Sequence, residues 1–192
     1  MADASPTGLN VTKSIGGFKE ALTGGGARAN RFKVTMTFPS DLNGAEDASS
    51  AMSFLCSSAQ LPGQTIGEIQ VPFRGRNLYV AGDRTFEAWT VTCYNDIEFS
   101  VRNMFEMWMN KINKMSDNSG TSTPSGYQST ASVMQLNQAG TGIMTYTFQG
   151  MWPTTLGNID VSYETTDAIE TFDVTLRYNY FEAANSSGDI TT

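Results

Sequence analysis

Residues Ala81 to Thr92 read AGDRTFEAWTVT, a turn followed by a strand running over residues 84–94. Phe86 and Ala88 share one parity of that strand, and Trp89, Val91 and Cys93 the other. A strand on the surface of a small domain alternates apolar with polar so that one face meets water. Apolar residues on both parities predict a strand covered on both sides. Gly82 is expected to take an unusual backbone angle at a tight corner, with Asp83 and Arg84 pairing locally or across a boundary between subunits.

Downstream, Asn95-Asp96-Ile97-Glu98 reads as a capping box, with the Asn95 side chain and Glu98 satisfying free backbone N–H groups at a helix start. The helix is expected over about 97–115. Ile97, Val101, Met104, Phe105, Trp108, Ile112 and Met115 fall within about 100° on a helical wheel and form a core-facing stripe. Phe99, Met107 and Met109 lie outside the stripe and predict a second covered face, a contact between protomers.

Upstream, Phe32, Val34, Met36 and Phe38 alternate with Arg31, Lys33, Thr35 and Thr37, the pattern of a half-buried strand. Pro39–Ala51 reads as a polar loop and Met52–Ser58 as a strand. Ile66–Phe73 and Arg76–Val80 flank Arg74-Gly75 as a hairpin, with Pro72 favouring an edge or bulge. Beyond the helix, residues 116–130 are loop by composition. Four strands are expected at Ala131–Asn137, Ile143–Gln149, Asn158–Tyr163 and Ile169–Phe181, and Trp152-Pro153 is expected to end a ladder. About nine strands and one long helix predict a mainly β fold, an antiparallel sandwich or barrel with a flanking helix. Residues 1–28 read as a flexible arm with a short helix at Ser14–Leu22 and a Gly24-Gly25-Gly26 hinge. Residues 29–182 read as one β-domain, and 183–192 as a flexible tail.

Composition narrows the chemistry. There is no histidine, which removes the commonest general base and every Ser-His or Cys-His nucleophile. Cys56 and Cys93 show no metal or redox spacing and read as reduced core thiols. No catalytic, cofactor or metal site is expected. Asp160 and Asp173 share the polar parity of two expected neighbouring strands, as a glycosidase's carboxylate pair could, but a solvated acidic face requires no cleft and is the simpler reading. Charged residues are only 16% of the 192, well below the roughly 25% usual for soluble domains, which suits a subunit covered by neighbours. Residues 1–114 balance eleven bases against eleven acids, whereas residues 115–192 hold eight acids and Arg177 alone. That distribution opposes sequence-specific nucleic-acid binding, which needs a basic patch. Arg28, Arg31 and Lys33 suffice only to meet an acidic neighbour. No apolar run approaches the ~18 residues of a membrane span, and MADASPTGLN has no secretory pattern, so a cytoplasmic origin without membrane insertion is expected.

The AGDRTFEAWTVT run resembles the central segment of the major tail tube proteins of contractile-tailed bacteriophages. The likeness continues through Gly150-Met151-Trp152-Pro153-Thr154 and Glu170-Thr171-Phe172-Asp173-Val174-Thr175-Leu176. The resemblance implies a structural virion protein that forms hexameric rings, stacked into an inner tube. A sheath surrounds that tube, baseplate and terminator proteins bound it, and genome DNA passes through without sequence-specific binding. It also implies candidate subunit contacts at Asp83, Arg84, Phe99, Met107 and Met109. A wet, acidic face with Asp160, Ser162, Thr171, Asp173 and Thr175 is the candidate channel lining, because carboxylates and hydroxyls do not hold phosphate. Longer loops at 39–51 and 116–130 and the acidic end past Glu182 depart from the family pattern. A contractile secretion or bacteriocin machine and a glycan-binding β-sandwich are the alternatives.

Overall fold

The computed structural model describes residues 15–185 and 188–189. Strand β1 (Phe32–Met36) buries Val34 and Met36 and exposes Lys33 and Thr35, as its alternation requires. It begins one edge of a sheet that continues through β6 (Ser129–Leu136) and β7 (Gly142–Leu156). The fifteen-residue β7 belongs to two layers. Its first part pairs with β6 and with β9 (Tyr180–Asn185), and its last residues pair with β8 (Thr171–Arg177). Strand β8 pairs in turn with β5 (Trp89–Tyr94), which pairs with β2 (Cys56–Ala59). A two-residue strand β10 (Gly188–Asp189) pairs with β9. All pairings are antiparallel, and the fold is mainly β, a sandwich folded about β7.

The layers change at Gly150, whose φ is +64°. A Cβ there would lie 2.2 Å from Asn179 Nδ2, so only glycine fits this bend. The core lies between the layers. Trp89 of β5 stacks on Phe148 of β7 at 4.3 Å, and Val91, Cys93, Val174 and Leu176 are buried beside them. Helix α3 (Ser100–Ile112) closes one side with Val101, Met104, Phe105 and Trp108, and Phe38 meets Phe105 and Trp108 edge-on at 5.2 and 5.7 Å. The buried indoles keep their polar atoms satisfied. Trp89 Nε1 donates to the Gln60 carbonyl and Trp108 Nε1 to the Tyr127 carbonyl, both at 2.7 Å.

Several expectations are corrected. Residues 39–51 are not all loop: Ala45–Leu55 form helix α2, which buries Ala45, Ala48 and Met52. Small alanines among serines concealed that helical spacing, and Glu46 and Asp47 in its first turn suit the helix dipole. The strand expected at Met52–Ser58 is the end of α2 followed by β2 alone. No capping box forms at Asn95–Glu98. Asp96 accepts from the Ser100 backbone N–H at 3.0 Å and from the Ser100 hydroxyl at 2.7 Å, while Asn95 Nδ2 donates to Glu170. The helix therefore runs 100–112 rather than 97–115, which leaves Ile97 and Met115 of the expected core stripe exposed.

The 84–94 run is not one strand covered on both faces. Strand β4 (Arg76–Phe86) ends before Glu87-Ala88, and β5 then buries Trp89, Val91 and Cys93 on one face only. Phe86 packs instead against Tyr178 and Phe181. Trp152-Pro153 does not end a ladder, because β7 bulges there and continues to Leu156. The strand expected at 158–163 is absent, and residues 157–170 carry no strand, with Val161, Tyr163 and Ile169 exposed. The strand expected at 169–181 divides into β8 and β9 where Tyr178-Asn179 cross between layers. β9 carries paired chain to Asn185, three residues into the segment expected as a tail. The short helix expected at Ser14–Leu22 is α1 (Ile15–Ala21), and Gly24, Gly25 and Gly26 all have positive φ. The mobile arm expected at residues 1–11 lies outside the described residues.

Candidate functional site

Strands β3 (Gln64–Phe73) and β4 form a sheet of their own, joined by a tight turn at Arg74-Gly75 with φ of +47° and +80°. The hairpin is longer than its expected core, because AGDRTF continues β4 instead of turning. Gly67 of β3 faces both Gly82 and Asp83, a bulge in the ladder. Gly82 does not have a positive φ. Its glycine is required by approach: a Cβ would lie 3.1 Å from the Gly67 carbonyl oxygen. The base of the hairpin is tied to the domain by Arg177 Nη1 donating to the Phe86 carbonyl at 3.2 Å.

Register decides what the hairpin presents. Ile69 pairs with Val80, Val71 with Leu78, and Phe73 with Arg76, so their side chains share one face. The five apolar members of that face are 42–66% exposed. The opposite face carries Glu68, Gln70, Asn77 and Tyr79. Arg74 lies over the Phe73 ring at 5.3 Å and shields only the tip. An isolated two-stranded hairpin is marginal in water, and one with a bare apolar face is built to be covered. Alternating Ile69, Val71, Phe73, Leu78 and Val80 were legible in sequence as strand residues. What sequence alone did not indicate was that, among the described residues, no layer of the same chain packs over them.

The residues singled out as contacts do not form one site. Asp83 and Arg84 are exposed at the bulge and, among the described residues, form no ion pair. Arg84 lines a cavity at the hairpin base with Phe86, Tyr146 and Tyr180. Phe99 precedes α3 in a left-handed conformation (φ +55°) and is half exposed, as is Met107 two turns later. Met109 turns away from both into a groove of about 470 Å³ between the end of α3 and the end of β7. Ile112, Met115, Pro153 and Leu156 are its other apolar walls.

The residues expected on one acidic face are divided as well. Thr171 and Asp173 are exposed on β8 and Thr175 is half-buried there. Thr92 Oγ1 donates to Asp173 Oδ1 at 2.7 Å, and Thr90 and Thr175 hydroxyls lie 3.3 Å apart. This β5–β8 face is a ladder of hydroxyls with one carboxylate, and Arg177 stands at its end. Asp160 and Ser162 lie in the irregular 157–170 segment, lining a separate pocket with Asn158 and Thr171, and do not pair with β8. A glycosidase pair of Asp160 and Asp173 has no shared strand frame.

Titration singles out the cysteines. Cys56 and Cys93 face each other across β2 and β5, and both are free thiols. Hydrogen bonding from Cys93 lowers the Cys56 pKa, whereas that same bond, burial, and the charges of Cys56 and Asp173 push Cys93 far up. Burial, followed by Glu87, raises Tyr178, whose buried hydroxyl has no hydrogen-bond partner. Among the described residues no three His, Cys, Asp or Glu side chains cluster to hold a metal, and no helix is long and apolar enough to cross a membrane.

The sequence profile of a family described as phage tail tube protein matches residues 27–184, from just before β1 to the end of β9. The tail tube protein of Serratia phage KSP90 is 33% identical over 168 residues, covering 86% of this chain and 94% of that protein. The tail tube protein gp19 of Enterobacteria phage T4 is 31% identical over 157 residues, covering 81% and 91%. Among solved structures, a chain of the anti-feeding prophage baseplate superposes with a TM-score of 0.62 at 15% identity, over 83% of this chain and 96% of that one. A chain of the sheath–tube complex of an extracellular contractile injection system gives 0.56 at 15% identity, over 87% and 97%. At such identity these two likenesses are of fold. The sequence matches are of family, and the chain belongs to the phage tail tube protein family.

Proposed function

We propose that this chain is the building block of a phage tail tube. Its copies close into hexameric rings, the rings stack, and the resulting conduit carries genome DNA into the host inside a contractile sheath, bounded by baseplate and terminator. The role is structural and its place is the virion. The observation that carries the reading is the bare apolar face of the β3–β4 hairpin. Five large apolar side chains that no described residue of the chain covers form a patch of the kind that a partner buries. The edge strands β1 and β2 offer unpaired backbone for the same purpose, and ring closure removes such edges. Residues 29–182 would then be the ring-forming body and residues 1–28 the connecting arm.

For the channel wall we favour the β5–β8 face, with Thr171, Asp173 and Thr175. It presents hydroxyls, the Asp173 carboxylate and a single base, Arg177, whose guanidinium is engaged with the Phe86 carbonyl, so phosphates passing it would release few counterions and would not be held. Asp160 and Ser162 would extend that wall from the 157–170 segment. A tube map with Asp173 on the outer surface would refute this placement. A tube of a related injection machine remains the second reading, favoured only by the shared fold of the two solved neighbours.

The assembly test is Val71→Asp with Leu78→Asp on the hairpin face. Both side chains are exposed in the subunit, so its circular dichroism should be unchanged, while tubes seen by negative-stain microscopy should disappear. Tubes of normal length from this variant would remove the hairpin from the assembly surface.

A further inference from the structure

Helix α1 carries Ile15 and Phe18 on one side, and Leu22 just past its end continues the stripe at helical spacing. Ile15 and Phe18 are 77% and 66% exposed, and no residue of the helix is buried. Lys19 flanks the stripe. The groove between α3 and β7 is the counterpart surface: Met109, Ile112, Met115, Pro153 and Leu156 form its apolar walls, and Glu106 is its one charged residue.

Within one chain the two surfaces lie at opposite ends of β7. A tight turn at Thr23–Gly25, closed by Gly25 N–H donating to the Leu22 carbonyl, holds α1 close to Gly25. Gly25 lies beside Gln138, at the connection between β6 and β7. The groove is at the other end of β7, eleven residues past Gly142, or about 35 Å of strand contour. A seven-residue helix adds only about 10 Å. An apolar helix at one end and an apolar groove at the other are complementary between copies arranged head to tail, and Glu106, whose Oε1 accepts from Arg102 Nε at 3.1 Å, keeps its second carboxylate oxygen for Lys19. A head-to-tail contact is of the kind that propagates into rings or filaments.

The geometry points to docking of α1 from one copy into the α3–β7 groove of a second copy. This docking rests on the tube reading, since it needs copies held in series, and it names the parts that meet. A single helical turn or two buries less area than a stable interface requires, so the contact adds to the hairpin and sheet contacts and does not replace them.

The test is photo-crosslinking from position 18. Phe18 is replaced by p-benzoylphenylalanine, and tubes are grown from a mixture of isotopically light and heavy chains and irradiated. Mixed light–heavy crosslinks from position 18 to residues 106–115 or 153–156 are the expected result. Crosslinks confined to one chain, or to the β3–β4 hairpin, or to another tail protein, would overturn the docking while leaving the tube intact. Absence of tubes from the unmodified chain even when it is supplied with a preformed tube end would instead remove the tube reading and the docking with it. In parallel, Phe18→Glu should raise the subunit concentration needed for tubes roughly tenfold, with an unchanged subunit fold. An unchanged concentration would likewise overturn the docking.

Discussion

Gly150→Ala is expected to destabilise the subunit by about 2–4 kcal/mol, from two separable causes. The first is backbone conformation: φ at Gly150 is +64°, and an L-residue with a Cβ loses roughly 1–2 kcal/mol in that region. The second is space. The new Cβ would lie 2.2 Å from Asn179 Nδ2, 2.9 Å from Asn179 Cγ and 3.2 Å from Gln128 Oε1, so the Asn179 amide must move. Displacing a packed side chain adds about 1–2 kcal/mol more. Gly140 provides the control. Its φ is +81°, and a Cβ there meets nothing within 4 Å, so Gly140→Ala carries the conformational cost alone. Urea denaturation of the unassembled subunit, read by tryptophan fluorescence, measures both variants. The clash predicts that Gly150→Ala is the worse of the two, and that Asn179→Ala in the same chain recovers part of the difference. If Gly150→Ala and Gly140→Ala cost the same, the bend between layers does not depend on this close approach.

The remaining expectations concern titratable groups. Because Cys56 is half-buried with a lowered pKa and Cys93 is buried with a raised one, a thiol reagent should modify Cys56 alone in the native subunit and both in urea; mass spectrometry showing two rapid native modifications would contradict this. Lys111 Nζ donates to Asp41 Oδ1 at 2.5 Å and holds that carboxyl below its ordinary 3.8. A depressed carboxylate stabilises the fold above its unfolded value and ceases to as pH falls through the folded one, so Lys111→Met should flatten the loss of stability below about pH 4. At neutral pH it should cost no more than about 1 kcal/mol, since Asp41 is exposed. Equal acid sensitivity in the two proteins would show that this pair does not contribute.

The readable parts of the sequence were those in which one physical demand dominated. Val34 and Met36 alternate with Lys33 and Thr35 because β1 has one wet face, and α3 shows its stripe because it covers a core on one side only. Helix α2 was hidden because Ala45 and Ala48 are too small to mark a face against the serines around them. The false strand at 158–163 had the right alternation, with Ile159, Val161 and Tyr163 on one parity, but local pattern cannot supply a partner strand. The 84–94 run failed for a related reason: two strands meeting near Glu87-Ala88 put apolar residues on both parities of what reads as one. Of the candidate contacts, Met109 stands off the core stripe in the sequence and lines the α3–β7 groove in the structure. The apolar hairpin face was visible as strand, and its exposure was not, since nothing in a single chain's pattern says whether cover comes from within or from a neighbour.

That distinction organises the molecule. Trp89, Phe148, Phe105 and Trp108 complete a core in which buried indoles find their acceptors and no charged side chain is buried among the described residues, so the sandwich is packed before any copy arrives, with the Tyr178 hydroxyl its unpaired polar group. Uncovered apolar side chains cluster elsewhere, on β3–β4, on α1 and on the 157–170 segment, with Phe54, Ile97 and Met115 exposed singly. Folding and assembly thus draw on different residues. A chain built this way folds as a soluble unit and polymerises only when several weak, separate surfaces engage together. Each alone is too small to hold two copies at low concentration. Growth from an end that already presents those surfaces in register is then favoured over spontaneous nucleation, because the first contact there brings the others within reach. Substitutions should divide along the same line, with core changes lowering stability and hairpin or α1 changes lowering assembly at constant stability.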